Sequence, residues 1–322
     1  MNEAPTERQH RKLELAARAA WLYYIAGQTQ DQIAATLSVS RQAAQRLVAL
    51  AASEHLIKFR VDHPIVECVA LGERLRERYR LEWCDVVPED PENPGDVRML
   101  AVGAAERLEG LLLQTEPAIF AFGTGRTPRA VAAQVSPMAR EQHRLVSLVG
   151  TMNRDGRASP YEVIMRLAER TGAQCYPLPA PVVTDTVEAR IALQAQRPHR
   201  MVTQLASQAS AVFAGIGQID RAAPMARDGF ITEAEVAELM ERGAVGEICG
   251  WPFDRGGAPV VSPLTERLCA VPLTTLPPRT LIGVAAGANR VPAIAAALHG
   301  GLLAALVTDE ATARLLLDRS EP

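Results

Sequence analysis

The 322-residue chain has the composition of an ordinary globular protein, 48% hydrophobic and 22% charged with a formal net charge of −3, which excludes disorder as its main state. At roughly 100–200 residues per domain, this length predicts about two domains. The sequence contains no apolar run of the roughly 18–20 residues that span a bilayer, and no apolar stretch follows the charged N-terminal residues. We therefore expect a cytoplasmic protein.

The scarcity of lysine excludes several classes of enzyme. Of the 34 basic residues only Lys12 and Lys58 are lysines, so the rest of the chain cannot supply a Walker-motif, Schiff-base or pyridoxal-phosphate lysine. The five cysteines are scattered, without a C-x-x-C pair or histidines at metal-ligand spacing. We expect no metal site and no cofactor, and we expect reduced, packed thiols.

The first sixty residues are the basic part of the chain. They hold eight Lys and Arg against five Asp and Glu, a net charge of +3, which leaves −6 for the remainder. Apolar residues recur at three- and four-residue steps from Leu13 to Ala26, which predicts a helix that Gly27 ends. We predict that Trp21 and the pair Tyr23-Tyr24 belong to the core of this domain and are not a platform for stacking bases.

Two further helices follow closely. Thr29 can cap a helix over residues 30–37, and Ser40 can cap another over residues 41–55. Residues 56–61 alternate like a short strand. Two short helices, a turn, a third helix and a strand predict a winged helix-turn-helix domain over residues 1–62.

The third helix carries the predicted DNA-reading face. Ala44, Leu47 and Val48 are expected to point to the core, which leaves polar side chains on the opposite face. Arginine pairs with guanine or phosphate and glutamine with adenine. The alternative is a plain three-helix bundle with a solvated polar face. The predicted DNA-binding residues are Ser40, Arg41, Gln42, Gln45 and Arg46.

Residues 63–322 alternate apolar strand-like runs with glycine-rich turns and helices. A helical segment and a strand-like run come first, and a loop rich in proline and acidic residues follows at residues 88–96. This alternation predicts an α/β domain built on a mostly parallel, Rossmann-like sheet. In such a sheet the loops after the strands gather at the strands' carboxyl ends, where ligands bind.

One loop stands out as an anion site. The strand-like run 119–122 continues as G-T-G-R-T-P and enters a helix. The glycines let the backbone approach an anion, the threonines donate hydrogen bonds, and a helix N-terminus supplies unpaired N–H groups. The alternative is a tight turn that needs glycine for its geometry alone. The spacing is neither G-x-G-x-x-G nor a P-loop, which disfavours a nucleotide. The predicted phosphate cradle is Gly123, Thr124, Gly125, Arg126 and Thr127.

Other glycine-rich bends carry polar residues that suit a sugar. In the late turn after a strand, Arg290 can pair with a phosphate and Asn289 can bond hydroxyl groups, although such a turn can also be purely structural. Glu247 and Asp254 are carboxylates beside glycine-rich bends, suited to accept hydrogen bonds from sugar hydroxyls. They are also candidate acid–base residues for isomerising a sugar phosphate. Together with the cradle, these four residues complete the predicted effector site.

In their order along the chain these segments resemble the SorC type of sugar-binding transcriptional regulator. The matching stretches are AARAAWLYYIAGQTQDQIAATLSVSRQAAQRLV, FGTGRT, GAVGEICGWPFD and GVAAGANRVPAIAAALHGGLLAALVTDEATARLLL. The resemblance implies a winged helix-turn-helix domain followed by an effector domain related to phosphosugar isomerases and deaminases that has lost catalysis. It also implies a phosphate cradle at residues 123–127, Asp254 on the sugar hydroxyls, and dimers of dimers.

The chain departs from the family pattern at two places. Arg290 stands where the family usually has lysine, and arginine keeps the charge but cannot form a Schiff base, so the departure argues against a covalently held aldehyde. Glu247 stands where the family usually has aspartate, and the longer side chain can reshape the pocket.

The sequence therefore predicts a DNA-binding regulator of a carbohydrate or polyol catabolic operon, controlled by a sugar phosphate or by a related sugar or polyol. Residues 63–322 would bind the effector and form the oligomer. Reading a palindrome by half-sites requires at least a dimer, so we expect a homo-oligomer, either dimer or tetramer. Two alternatives remain: an isomerase-like enzyme of sugar phosphates with an accessory helix-turn-helix head, and a regulator whose ligand is an unphosphorylated polyol.

Overall fold

The computed structural model describes residues 5–57, 66–89, 92–93 and 96–319. The chain divides into two compact units, Met1–Asp62 and His63–Pro322.

The described residues of the first unit form three helices, α1 (Pro5–Tyr24), α2 (Gln30–Leu37) and α3 (Arg41–Ser53). Both predicted caps are confirmed. Thr29 and Gln32 form a capping box in which the Thr29 N–H donates to Gln32 Oε1 over 2.8 Å and the Gln32 N–H donates to Thr29 Oγ1. The Ala43 N–H donates to Ser40 Oγ over 3.2 Å and so fixes the start of α3.

The core of the first unit is small. Ala19, Ile33, Ala44 and Val48 are buried and pack together, so α3 turns its predicted apolar face inward. Of the predicted wing strand, residues 58–61 lie outside the described residues. The residues before them, 56 and 57, follow α3 as irregular chain.

The prediction that the aromatic residues of α1 belong to this core is wrong. Trp21 is 58% exposed, and Tyr23 and Tyr24 are each 38% exposed. The buried face of α1 is instead a stripe of alanines that includes Ala16 and Ala20. These small side chains occupy the three- and four-residue spacing that packs inward, which leaves the large aromatic rings on the outer side.

The strands that the structure describes lie in the second unit. A seven-stranded sheet, parallel throughout, has the order β1-β10-β9-β5-β2-β3-β4 in the described part of the chain, and β6, β7 and β8 form a small antiparallel sheet. The strands are β1 (Trp83–Val87), β2 (Ile119–Phe122), β3 (Arg144–Met152), β4 (Gln174–Pro181), β5 (Ala211–Ala214), β6 (Gly217–Gln218), β7 (Gly246–Ile248), β8 (Trp251–Phe253), β9 (Leu281–Val284) and β10 (Ala305–Asp309).

Helices cover both faces of the large sheet, which confirms the predicted α/β class. Phe120 and Phe122 of β2 pack in the core formed with α5, α6 and α7, whereas Ala121 between them packs in the core on the other face. None of the described helices is long and apolar enough to cross a membrane. The helices are α4 (Val66–Tyr79), α5 (Val97–Leu112), α6 (Arg126–Gln134), α7 (Ile164–Thr171), α8 (Val187–Gln194), α9 (Arg197–Ala206), α10 (Pro224–Arg227), α11 (Glu233–Glu241), α12 (Val291–His299) and α13 (Glu310–Asp318), with 3-10 turns at Thr265–Arg267, Leu273–Thr275 and Ala288–Arg290.

The strand order places a switch point at the centre of the sheet. From β2 the chain proceeds outward to β3 and β4 on one side, then returns to β5 on the other side of β2 and continues to β9 and β10. The loops that follow β2 and β5 therefore diverge at neighbouring carboxyl ends and leave a crevice between them.

Candidate functional site

A cleft of about 770 Å³, including the part that is open to solvent, lies at this switch point. Its lining comes from the loops after β2 and β5, from the β7–β8 hairpin, from segment 224–230 and from Arg290 after β9. The sheet topology thus gathers residues that are more than 150 positions apart in the chain.

The loop after β2 forms one wall of the cleft. Its first residue is held to the neighbouring strand because the Gly123 N–H donates to Phe213 O over 2.8 Å. Gly125, at φ +129°, is the N-cap of α6, and none of the described side chains caps this helix end. An uncapped helix N-terminus at a cleft has N–H groups and a partial positive charge available to an anion. All five predicted cradle residues line the cleft.

The β7–β8 hairpin packs against this wall through Cys249. A Cβ built on Gly123 would lie 3.0 Å from Cys249 Sγ, so close packing also favours glycine here. Cys249 and Gly250 both have positive φ, +55° and +85°, the conformation of a two-residue type I′ hairpin loop. Burial, reinforced by Glu247, raises the pKa of the Cys249 thiol, which keeps it protonated and a poor nucleophile.

Arginines give the cleft its positive charge. Arg126, the first residue of α6, forms an ion pair of 2.5 Å with Asp228. Arg290 lines the cleft and donates from Nη1 to Ala286 O over 2.6 Å. Burial lowers the pKa of Arg290, and the nearby Arg126 and Arg227 lower it further. Guanidinium groups that repel one another around a cleft favour an anionic occupant.

Glu247 supplies a carboxyl group to the same cleft. It stands opposite Gly217 in the β6–β7 pair, where a Cβ on Gly217 would lie within 2.1 Å of Glu247 Oε1. The Gly250 N–H donates to Glu247 Oε2 over 2.7 Å. Burial raises the pKa of this carboxyl, and the bond from Gly250 opposes the rise. A half-buried carboxyl group of this kind can bond the hydroxyl groups of a sugar or polyol.

The structure does not bring Asp254 and Asn289 to the described lining of the cleft. Asp254 Oδ1 accepts from the N–H groups of Gly256 and Ala258, each over 2.9 Å, so this carboxylate stabilises its own turn. Asn289 is exposed in the 3-10 turn that precedes α12. A carboxylate or amide next to glycine is as common in a turn as in a site, and the sequence pattern alone does not distinguish the two.

Sequence reasoning missed two polar residues of the cleft, Tyr161 and Asp228. The Tyr161 hydroxyl donates to Asp228 Oδ2 over 2.8 Å, and Tyr161 O accepts from Thr124 Oγ1 over 3.2 Å. Both residues come from irregular segments without apolar periodicity. Gly229 after Asp228 indicates a turn, but it does not indicate a binding site. Their proximity arises from the tertiary fold.

The predicted DNA-binding residues lie together on the outer side of α3. Arg41, Gln42, Gln45 and Arg46 are exposed, opposite the buried Ala44 and Val48, and Ser40 is exposed at the N-cap. Arg41 Nε lies 3.5 Å from Asp31 Oδ1 at the start of α2. The helix therefore presents cationic and amide side chains to solvent on one face.

Comparisons with known proteins agree on one family. Residues 63–318 match the family described as "Putative sugar-binding domain". The erythritol catabolism regulatory protein EryD of Brucella abortus (strain 2308) is 34% identical over 303 residues, which cover 94% of this chain and 96% of that protein. The transcriptional regulator LsrR of Enterobacter sp. (strain 638) is 34% identical over 312 residues, 94% of this chain and 93% of its own.

A solved structure has the same fold. The full-length sorbitol operon regulator SorC from Klebsiella pneumoniae superposes with a TM-score of 0.69 at 24% identity, covering 95% of this chain and 99% of that one. The family match spans most of the second unit and the relatives span nearly the whole chain. This chain belongs to the SorC-type family of sugar-binding transcriptional regulators.

Proposed function

We propose that this chain controls a carbohydrate or polyol catabolic operon, with operator DNA bound by the first unit and a small phosphorylated effector bound by the second. The observation that carries the proposal is the cleft, in which an uncapped helix N-terminus, Arg126, Arg290 and Glu247 converge. Two similar proteins are named for erythritol catabolism and for the sorbitol operon, which supports an effector of the polyol or sugar class.

The chemistry of the cleft divides between the two ends of such an effector. A phosphate would take N–H groups at the start of α6 and the guanidinium groups of Arg126 and Arg290. Hydroxyl groups would bond to Glu247. An unphosphorylated polyol would bond to Glu247 and would leave Arg290 and the N–H groups at the start of α6 without an anionic ligand group.

The exposed polar face of α3 supports DNA as the partner of the first unit. We propose that Arg41, Gln42, Gln45 and Arg46 contact the major groove and its phosphates, with Ser40 at the N-cap, and that the chain does so as a dimer or tetramer in the cytoplasm. Operator DNA for the test can be obtained by selection in vitro. Arg46→Ala should weaken operator binding and, if Arg46 contacts a phosphate, reduce the salt slope by about 1.

The matched control for the DNA arm is Arg18→Ala. Arg18 is an equally exposed arginine of the same unit, bonded to Glu14 on α1, and its loss should leave operator affinity unchanged. Equal affinities for Arg46→Ala and the parent chain would contradict the assignment of the face.

The effector arm uses thermal unfolding against sugar phosphates and the matching free sugars and polyols. A ligand at one hundred times its dissociation constant adds about 2.7 kcal/mol to the native state. Arg290→Ala should abolish most of the stabilisation by a phosphorylated ligand. Arg200→Ala should not, although Arg200 also donates from Nη1 to a backbone oxygen, over 2.8 Å. Stabilisation by free polyols alone would favour the unphosphorylated class.

We infer that the cleft binds its ligand without turning it over. The isomerase alternative rests on Glu247, since a carboxyl group with a raised pKa is suited to proton transfer. An assay of pentose and hexose phosphates separates the two functions. We expect no turnover; catalysis abolished by Glu247→Gln would establish the enzyme instead.

A further inference from the structure

Asp228 occupies an unusual position for an acidic residue, because it lies in the cleft at the helix end where an anion is expected to bind. Its side chain is 14% exposed. One carboxylate oxygen, Oδ1, lies 2.5 Å from Arg126 Nη2, and the other, Oδ2, accepts from the Tyr161 hydroxyl over 2.8 Å. The carboxylate therefore holds the guanidinium at the start of α6.

The backbone of Asp228 is fixed from two directions. Asp228 follows the last residue of α10, and its N–H donates to Pro224 O over 2.9 Å. Its O accepts from Asn153 Nδ2 over 3.2 Å. Asn153 directly follows β3 and is buried. The carboxylate is thus built into the cleft and is not the end of a freely rotating surface side chain.

An anion in the cradle would approach the same guanidinium. Arg126 is both the first residue of α6 and the ion-pair partner of Asp228. A ligand phosphate at this helix end would be a like charge close to Asp228, and the two would share or exchange Arg126. Arg290 lies in the same lining and offers a second cation.

We propose that Asp228 is the internal counter-ion of the cleft and sets the charge that an effector must carry, because the ligand has to compete with it for Arg126. This inference rests on the anion cradle of the proposed function. A dianionic phosphate, which can hold Arg126 and Arg290 together, competes with this carboxylate; a monoanionic carboxylate of the same size competes less well. Asp228 is therefore a specificity-determining residue for the effector.

The test is the binding of inorganic phosphate to the full-length protein and to Asp228→Asn, by titration calorimetry. The amide keeps the shape and can still accept from Tyr161, but it lacks the charge. We expect Asp228→Asn to bind phosphate about tenfold more tightly and to discriminate less between phosphate and acetate. Asp155→Asn removes a comparable carboxylate, one that pairs with Arg157 on an exposed loop, and should leave phosphate affinity unchanged.

A second variant separates charge from packing. Tyr161→Phe removes the other partner of Asp228 but keeps the carboxylate, so phosphate affinity should not rise. Equal or weaker phosphate binding by Asp228→Asn than by the parent chain would overturn the inference alone, because Asp228 would then merely orient Arg126. Failure of the parent chain and of Asp228→Asn alike to bind phosphate would overturn the anion cradle, and with it the phosphorylated effector of the proposed function.

Discussion

The carboxyl group of Glu247 lies in a different environment in the folded chain than in the unfolded chain. Burial raises its pKa above the usual value of 4.5, and the bond from the Gly250 N–H opposes that rise. The folded chain therefore holds this proton more tightly than the unfolded chain. Stability falls as pH rises from about 4.5 through the raised pKa, because the ionised carboxylate is disfavoured in the fold.

We predict that Glu247→Gln stabilises the protein at pH 7, by the roughly 0.5–2 kcal/mol typical of stabilising substitutions, while it weakens binding of polyhydroxylated ligands. Thermal unfolding at pH 7 and pH 4 provides the measurement, and the gain should become small at pH 4, where the parent carboxyl is mostly protonated in both states. Glu238→Gln, which loses the exposed i,i+4 pair with Arg242, is the control and should show no such gain. A Glu247→Gln protein less stable than the parent at pH 7 would contradict the argument.

The residues of the cleft differ in how far the sequence could predict them. Residues 123–127 were recognisable because a strand, two glycines and a helix start adjoin one another in the chain. Asp228 was not, because its role depends on Arg126, about one hundred positions away, and on the order of strands in the sheet. The local sequence around Asp254 suggests a sugar-binding carboxylate, but this carboxylate accepts hydrogen bonds from the backbone of its own turn. The residue pattern is the same for a carboxylate that binds a sugar and for one that stabilises a turn.

At the scale of elements, the sequence predicts the helices and strands themselves, but it does not predict which elements pack or pair with one another. Periodicity and caps correctly predict the three helices of the first unit. The same periodicity wrongly predicts that the aromatic residues of α1 belong to the core. The reason is that alanine and aromatic residues both read as apolar, whereas close packing of α1 against α3 selects the small side chains. Apolar runs likewise predicted a parallel sheet, but pairing between distant strands determines its order.

Glu235 connects three elements of the second unit. It lies in the first turn of α11, where it forms a capping box with Thr232, and its carboxylate also pairs with Arg154 after β3 and with Arg267 of the 3-10 turn. Burial would raise its pKa, but the bonds from the Thr232 backbone, Arg267 and Arg154 outweigh burial and lower it. The folded chain thus favours the ionised form, so this stability is present above pH 4.5 and is lost as pH falls below it.

We predict that Glu235→Gln costs about 2 kcal/mol at pH 7, somewhat less than a fully buried pair, because two part-buried guanidinium groups lose their carboxylate. Urea unfolding at pH 7 measures this loss of unfolding free energy. At lower pH the difference between Glu235→Gln and the parent should shrink, because Glu235 of the parent becomes protonated. Glu233 is exposed in the same first turn of α11, and Glu233→Gln should cost a few tenths of a kcal/mol. Equal losses for the two variants would mean that the ion-pair network contributes nothing.

At the scale of the whole molecule, the two units carry charge of different sign. Residues 1–62 have a net charge of +2 and residues 63–322 a net charge of −5, which favours contact of the first unit with DNA and disfavours it for the second. Regulation then requires two global states that differ in affinity both for operator DNA and for the effector. A ligand with equal affinity for the two states would change nothing, however tightly it bound.

The coupling between the two ligands must be reciprocal if both act on one equilibrium of the protein. We predict that the effector changes operator affinity by some factor in the usual range of about 5–150-fold, and that operator DNA changes effector affinity by the same factor. Titration calorimetry of the effector, with and without saturating operator, measures the second factor; DNA binding with and without effector measures the first. In Arg46→Ala, at DNA concentrations too low to saturate the variant, effector affinity should be the same with and without DNA. The two factors must be equal because binding free energies around a closed cycle sum to zero. An effector that binds the cleft but leaves operator affinity unchanged would contradict the prediction, because the cleft and α3 would then not act on a common equilibrium.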